Sequence, residues 1–421
     1  MIDHNEISHL AEQAVAMGDY VAADSFLQKM LYECTPEVGR EILSDRNMAL
    51  KILTEILLCE KNSGSGNTWR ACGGYDGFFA AYQRIKRAVR RIWFGLDDED
   101  IYEGFSSLCD ISMTGDMLAV IAKYSVPPEL WTDVFFRLAD IDAIPAVSRD
   151  IIKGYLNAMQ VNGISGNGRC YPMRIRQNAL SVRRISYGEI NENHGPAAGT
   201  ANKNKLSIIY CTNDEDYAAE CRKYLEYLNL PGGIQGEVIE VTGASSMAAG
   251  YNFAMRSTDA AYKLYIHHDT FLTDSNIPDK LLKVFSSENA PSMTGVFGTT
   301  KLPDSGRWAN CPYEDSVLTL WQDAMLDFIR PQISPDLKVH PAEAIDGAFI
   351  ATSTDIPWRE DLFDDWHFYD ISQCFEMRLA GYTTALISDT TPWILHESTL
   401  RKDPTDAYGR YCDIFKREYL S

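Results

Sequence analysis

Apolar residues near the start of the chain recur at helical spacing. Ile7, Leu10, Ala11, Ala14 and Val15 share one face, and Gly18-Asp19-Tyr20 interrupts them. Ala23, Phe26, Leu27, Met30 and Leu31 form a second stripe that ends near Thr35-Pro36. Two short amphipathic helices joined by a tight turn predict an antiparallel hairpin. A third stripe runs through Ile42, Ala49, Ile52, Leu53, Ile56 and Leu57, and residues 62–67 (NSGSGN) read as a loop. Helical periodicity returns over 78–94, near 103–124, and over 129–138 and 147–159. Residues 1–160 therefore read as an all-α domain. Residues 161–204 carry two stretches rich in Gly, Asn and Ala with little to bury, which makes them a linker or extension. Between those stretches, residues 173–190 are basic and read as a short hairpin or as an extension of the next domain.

From residue 205 the period changes. Residues 206–210 (LSIIY), 237–241 and 262–267 read as buried strands, with helices expected over 217–228 and 245–255. Alternating strands and helices predict right-handed crossovers and a Rossmann-like, mostly parallel sheet over 205–421. Ligands of such sheets sit beyond the carboxyl ends of the strands. That rule selects Asn213 and Asp214 after the first strand, and His267-His268-Asp269 after the third.

Composition narrows the function classes. The chain has 421 residues, 39 Lys+Arg against 59 Asp+Glu, and a formal charge of −20. An acidic surface repels phosphate backbones, so general nucleic-acid binding is not expected. No stretch has the roughly 18 apolar residues of a membrane-spanning helix, and the polar, acidic N-terminus does not read as a secretory signal. Ten cysteines contain no CxxC pair, so a zinc ribbon or redox motif is not expected. Cys59 and Cys211 lie in apolar runs and read as small core residues in a cytoplasmic protein. The 78–93 segment places Arg84, Lys86, Arg87, Arg90 and Arg91 beside Phe79, Tyr82, Ile85, Val89 and Ile92. Such a helix suits peripheral contact with the inner face of a membrane. The plain alternative is a core helix whose charges pair with the acidic run at 97–100.

A carboxylate at the end of the YKLYIHHDTFL strand can hold a hard divalent cation that grips a diphosphate. Adjacent imidazole favours Mn2+ over Ca2+. A lone histidine there is more often a strand cap or a core residue, but three such groups together point to a site. The segment VTGASSMAAGYNFAMRSTDAAYKLYIHHDTFL resembles the nucleotide-sugar half of bacterial family 2-like glycosyltransferases of GT-A fold, in the subgroup with His-x-Asp in place of Asp-x-Asp. The resemblance extends through residues 295–310, similar to a mobile flap, through the strand and turn at 344–349, through the helix region 364–382, and to Trp393-Ile394-Leu395-His396. It covers about half the chain, and the 1–160 region has no counterpart in it. The start of that region is separately similar to one tetratricopeptide unit, without a second copy.

The resemblance implies a divalent metal, Mn2+ or Mg2+, on Asp269 and His396, with His267 supporting it near the donor. It implies Asp370 as the base, with Asp365 as the fallback, and Asp346 as a sugar or acceptor contact. The bland alternatives are a helix N-cap for Asp370 and a turn for Asp346. Asn213, Asp214 and Asn252 would meet the nucleotide of a UDP-linked sugar, or be ordinary polar positions. Trp308 and Trp366 would stack on sugar faces, or pack in the core. The expected reaction is metal-assisted, inverting transfer of a sugar to a hydroxyl on a glycan, a lipid-linked saccharide or a protein, in bacterial polysaccharide or glycoconjugate synthesis. One rival is a degenerate module that binds nucleotide or glycan without turnover. Another is an adaptor that acts through the helical domain by a protein partner or self-association. A nucleotidyltransferase is disfavoured, because CTNDEDY is acidic where such enzymes carry a basic Gly-rich loop.

Overall fold

The computed structural model describes residues 4–32, 45–63, 68–96, 115–162, 170–188, 201–324, 327–329, 331–397 and 407–421. The expected helix end at Thr35-Pro36, Ile42, the loop at 64–67, the acidic run at 97–100, the periodicity at 103–114 and the Gly-rich stretches at 163–169 and 193–200 lie outside them. The chain divides into two compact units. One is Met1–Arg176 with the short pieces Ala324–Phe328 and Thr399–Lys402, and the other is Gln177–Asp323, Ile329–Ser398 and Asp403–Ser421.

The described part of the first unit is largely helical: α1 (His4–Ala16), α2 (Tyr20–Tyr32), α3 (Asp45–Ser63), α4 (Thr68–Ala71), α5 (Tyr75–Trp93), α6 (Gly115–Ser125), α7 (Trp131–Ala139) and α8 (Ala146–Val161). Gly18 turns α1 into α2 at φ 79, a value that favours glycine, and Asp19 Oδ1 accepts from Ala22 N. Ile7, Ala11, Ala14 and Val15 are buried against the stripe of α2, whereas Leu10 faces solvent at 36%. The apolar face of α5 is buried inside this unit, with Tyr82, Ile85, Val89 and Ile92 in the core. Two of its five basic side chains are buried as well. Lys86 pairs with Asp45 at 3.1 Å, and Arg90 Nε donates to the Ser125 carbonyl at 3.3 Å. A face already filled by protein is not a membrane-binding face, so α5 is a core helix. Among the described residues no helix is long and apolar enough to cross a membrane. The eight described cysteines are free thiols. Cys211 is buried as expected, but Cys59 is exposed, on the solvent side of the amphipathic α3.

The strands are β1 (Leu180–Ser186), β2 (Asn202–Thr212), β3 (Gln235–Thr242), β4 (Ala260–Ile266), β5 (Thr270–Leu272), β6 (Met293–Gly295), β7 (Phe297–Thr299), β8 (Ser316–Leu318), β9 (Leu320–Ala324), β10 (Asp327–Ile329), β11 (Lys338–Pro341), β12 (Ala344–Ile345), β13 (Phe349–Thr352), β14 (Thr384–Ser388) and β15 (Ile394–His396), all in the second unit except the end of β9 and most of β10, which fall in the piece Ala324–Phe328. The helices of the second unit are α9 (Glu215–Leu225), α10 (Met247–Arg256), α11 (Ile277–Phe285), α12 (Tyr369–Leu379) and α13 (Ala407–Tyr419). Eight strands form one sheet in the order β1-β3-β2-β4-β13-β6-β14-β11. The β1–β3, β3–β2, β2–β4 and β6–β14 pairs are parallel, and the pairs made by β13 and β11 are antiparallel. This mixed, mostly parallel sheet is the architecture that the α/β periodicity and the GT-A resemblance implied.

β2 is longer than its apolar core. Asn202 pairs with Ala260, and the register shifts before Leu206, so the polar residues 202–205 continue the strand through backbone bonds that hydropathy does not report. From Leu206 onward β2 is buried on both faces, as a central parallel strand must be. Within the basic segment at 173–190, Leu180–Ser186 forms β1, a parallel edge strand beside β3. α10 packs Met247, Ala248, Tyr251 and Ala254 into the core with Tyr265, Trp358, Phe363 and Tyr369. Burying a large apolar side chain such as Met247 contributes roughly 1.5–3 kcal/mol, and an alanine methyl less than about 1 kcal/mol.

A candidate metal centre at the strand ends

β4 stops at Ile266, and a turn closed by Thr270 N on the His267 carbonyl carries the chain into β5. The turn separates its three polar residues by direction. His268 leans back onto the end of β2, with Nδ1 3.0 Å from Thr212 Oγ1 and its ring stacked on Tyr217. His267 and Asp269 face each other instead, Nδ1 to Oδ1 at 3.9 Å. β5 then pairs antiparallel with β15, in a register that sets His396 opposite Thr270. The Glu397 amide donates to the Asp269 carbonyl, which locks that register. His396 Nε2 thereby comes to 3.6 Å from Asp269 Oδ1.

One ligand atom from each of His267, Asp269 and His396 lies within 4.8 Å of the others. Two ligands about 2.1 Å from a shared cation lie at most roughly 4.2 Å apart; the 3.9 and 3.6 Å separations of His267 and His396 from Asp269 Oδ1 fall inside that limit, and the third pair needs a shift of no more than about half an ångström. Asp269 Oδ1 is buried and makes no hydrogen bond, a costly state unless a cation meets it. Two imidazoles and one carboxylate form a mixed N/O donor set that suits a first-row divalent metal better than Ca2+. The residues present fit a divalent metal.

The site's electrostatics agree. Burial works to raise the Asp269 carboxyl, but the neighbouring imidazoles of His396, His267 and His268 outweigh it and hold the group at about 2. Burial lowers His267, against the opposing pull of the Asp269 charge. Burial also works to lower His396, but the Asp269 charge overcomes it and raises that ring. Asp269 is therefore an anion at any physiological pH.

The start of α12 meets the metal site where the Tyr369 hydroxyl contacts His267 Nε2. Phe368 precedes that helix in the left-handed region (φ 61), makes no side-chain cap, and starts the helix abruptly at Tyr369. Asp370 is thus the second helical residue and not the N-cap that local sequence also allowed. Its Oδ2 accepts from Gly347 N at 2.9 Å, and its Oδ1 accepts from Ile371 N at 2.8 Å. Burial and the nearby Asp346 charge push the Asp370 carboxyl up to about 7. Asp346 follows β12, and its Oδ1 accepts from Ala348 N at 2.8 Å, so it does serve the turn. Its charge is also felt at His267, His396 and Asp370.

Other expected residues take other places. Asp214 caps α9 by accepting from Asp216 N and Tyr217 N, and Asn213 beside it is exposed. Asn252 is 2% exposed, with both polar atoms bonded to the Trp358 backbone at 2.9 Å. It fastens the 358 loop to α10 instead of facing a diphosphate. Its helical spacing from Ala248 and Tyr251 placed it on the buried face. Trp308 is half-buried edge-on to Phe297, and Trp366 is 42% exposed just before α12. Asp365 is half-buried, and its carbonyl accepts from Met247 N.

Three residues near this site escaped sequence reasoning. The Tyr369 hydroxyl hydrogen-bonds His267 Nε2. Tyr408 on α13 sits in the field of Asp370 and Asp346, and the Arg307 guanidinium lies 5.3 Å above its ring. An aromatic residue beside the candidate base Asp370 was the only local signal for Tyr369. Tyr408 and Arg307 reach the site through packing between distant segments, which no spacing rule reveals.

A sequence-family model described as a glycosyltransferase-like family matches residues 207–419, a span that holds all three metal-site residues and Asp370. Among solved structures, the chain is similar to a crystal structure of GalNAc-T7 with UDP, GalNAc and Mn2+, at 10% identity and a TM-score of 0.35. That match covers 52% of this chain and 49% of the other, so the chain spans about half the length of that neighbour. No curated protein matches the chain.

Proposed function

Because the chain belongs to the glycosyltransferase-like family, we propose that it transfers a sugar from a nucleoside-diphosphate donor, UDP-linked, to a hydroxyl acceptor with inversion. The observation that carries this reading is the buried, hydrogen-bond-free Asp269 Oδ1 between His267 and His396, inside the matched span. A divalent metal held by these three residues would offset negative charge on a departing diphosphate.

Asp370 receives the acceptor's proton. Its two backbone N–H donors orient the carboxylate while leaving a lone pair on each oxygen. A carboxyl at about 7 is half ionised near neutrality, which is where a general base works best. Asp346 faces the sugar or acceptor, and its charge keeps Asp370 basic. Trp366, exposed beside α12, offers an apolar ring to a sugar face. Residues 295–310 act as the flap, with Arg307 stacked on Tyr408 at its edge. The acceptor class is a glycan, a lipid-linked saccharide or a protein, and the helical unit serves as its docking or partner-binding part.

Calorimetric titration with UDP and with GDP, each with and without Mn2+, tests the donor and the metal together. The expected result is UDP binding that requires Mn2+ and disappears in Asp269→Ala. Metal-dependent binding of GDP alone would change the donor. Absence of nucleotide binding under every condition would remove the transferase reading and leave the helical unit's adaptor role in front.

A further inference from the structure

We propose that Tyr369 is a positioning residue that turns the Nδ1 atom of His267, and not the more usual Nε2, towards the metal. The inference rests on the metal reading above and goes beyond it. His267 Nε2 is already occupied by its hydrogen bond to the Tyr369 hydroxyl. The opposite ring nitrogen, Nδ1, is the one 3.9 Å from Asp269 Oδ1. A ring bonded through Nε2 to a fixed hydroxyl cannot rotate to present that atom to the cation. With the metal bound, Nε2–H donates to the tyrosine oxygen, which fixes both the tautomer and the ring plane.

Tyr369 is itself held on all sides. It is 2% exposed and packs against Tyr251 and Trp358. The left-handed residue Phe368 sets where α12 begins, and from that start the Tyr369 hydroxyl reaches His267. A bulky residue at positive φ is strained by about 1–3 kcal/mol, and such strain collects at functional sites. Gly347 completes the arrangement. A Cβ there would lie 1.9 Å from the tyrosine hydroxyl and 3.0 Å from His267 Nε2, so only glycine leaves room for their bond. The next residue, Asp370, holds the Gly347 amide. One helical turn thus orients both the metal ligand and the candidate base.

The test is a Mn2+ titration of the full chain followed by electron paramagnetic resonance, on wild type, Tyr369→Phe, His267→Ala and the double variant. Tyr369→Phe should weaken Mn2+ binding about 10- to 100-fold, and should have no further effect in the His267→Ala background. Equal Mn2+ affinity in Tyr369→Phe and wild type overturns the inference while leaving the metal site standing. An equal loss in both backgrounds also overturns it, since a general packing role would act without His267. If the wild type binds no Mn2+, both readings fall. Should Tyr369→Phe not fold, the wild type loaded with Zn2+ as a diamagnetic probe decides through long-range 1H–15N spectra of its histidine rings. A protonated Nε2 with metal-bound Nδ1 on His267 supports the assignment, and metal on Nε2 overturns it.

Discussion

At the scale of single residues, Asp370 carries the sharpest pH signature. Its carboxyl lies above the usual aspartate value, so it is protonated in acid and ionises only as pH rises to about 7. The rate kcat/KM should therefore climb with pH and level off above that value. The sign for stability is opposite. The contribution of the neutral carboxyl is complete below the unfolded-state value, near ~4, and is lost as pH rises to about 7. Asp370→Asn should lower kcat by about 100-fold or more with nucleotide affinity little changed, measured by steady-state kinetics beside the UDP titration. Gly347→Ala is expected to be more damaging than its one added carbon suggests. The new methyl would meet Tyr369 and His267 together, and Mn2+ affinity measured by the same resonance titration should fall.

At the scale of elements, the first turn of α12 sets two effects against each other at Phe368. Replacing it with glycine relieves a strain of about 1–3 kcal/mol. It also removes a ring that is 3% exposed and packed on Tyr408 and Phe415, and losing a buried Phe costs about 3–5 kcal/mol. Burial wins, so Phe368→Gly should destabilise the protein by about 2 kcal/mol in chemical denaturation. The β5–β15 ribbon makes the complementary point. His396 reaches Asp269 only through the pairing of Ile394 with Leu272 and His396 with Thr270. Hydropathy located the longer helices of the first unit and β2, β3, β4, α9 and α10 of the second, but it did not mark α11, β14 or α13. It missed the polar start of β2 and left 173–190 open between a hairpin and an extension, because backbone pairing stabilised the start of β2 and the edge strand β1 without an apolar run.

At the scale of the whole molecule, two units carry separate cores. Every residue assigned to the metal, the base and its orientation belongs to the second unit: His267, Asp269, Asp346, Tyr369, Asp370 and His396. A chain shortened to begin at Gln177 should therefore keep Mn2+-dependent nucleotide binding in the calorimeter, while transfer to the native acceptor falls. Loss of nucleotide binding on that truncation would mean that the helical unit takes part in the donor site. The formal charge of −20 adds a salt-dependent expectation. Duplex DNA should not be retained by the protein at physiological ionic strength, since no net counterion release rewards the contact.

The order and spacing of the apolar runs determined which segments became strands and helices, and the end of the third strand marked His267 and Asp269 as candidates. These follow from local periodicity and from the rule that parallel sheets bind ligands at their carboxyl ends. The fates of individual polar residues were decided only in three dimensions. Asp214 and Asn252 were taken up by a helix cap and a loop anchor, because backbone groups brought near them needed partners. Tyr369 met His267 because a left-handed residue, a glycine and a strand end from separate stretches of chain packed together. Hydrogen bonds and ionisation depend on separations of a few ångströms, and distance along the chain carries no such information until the core has closed.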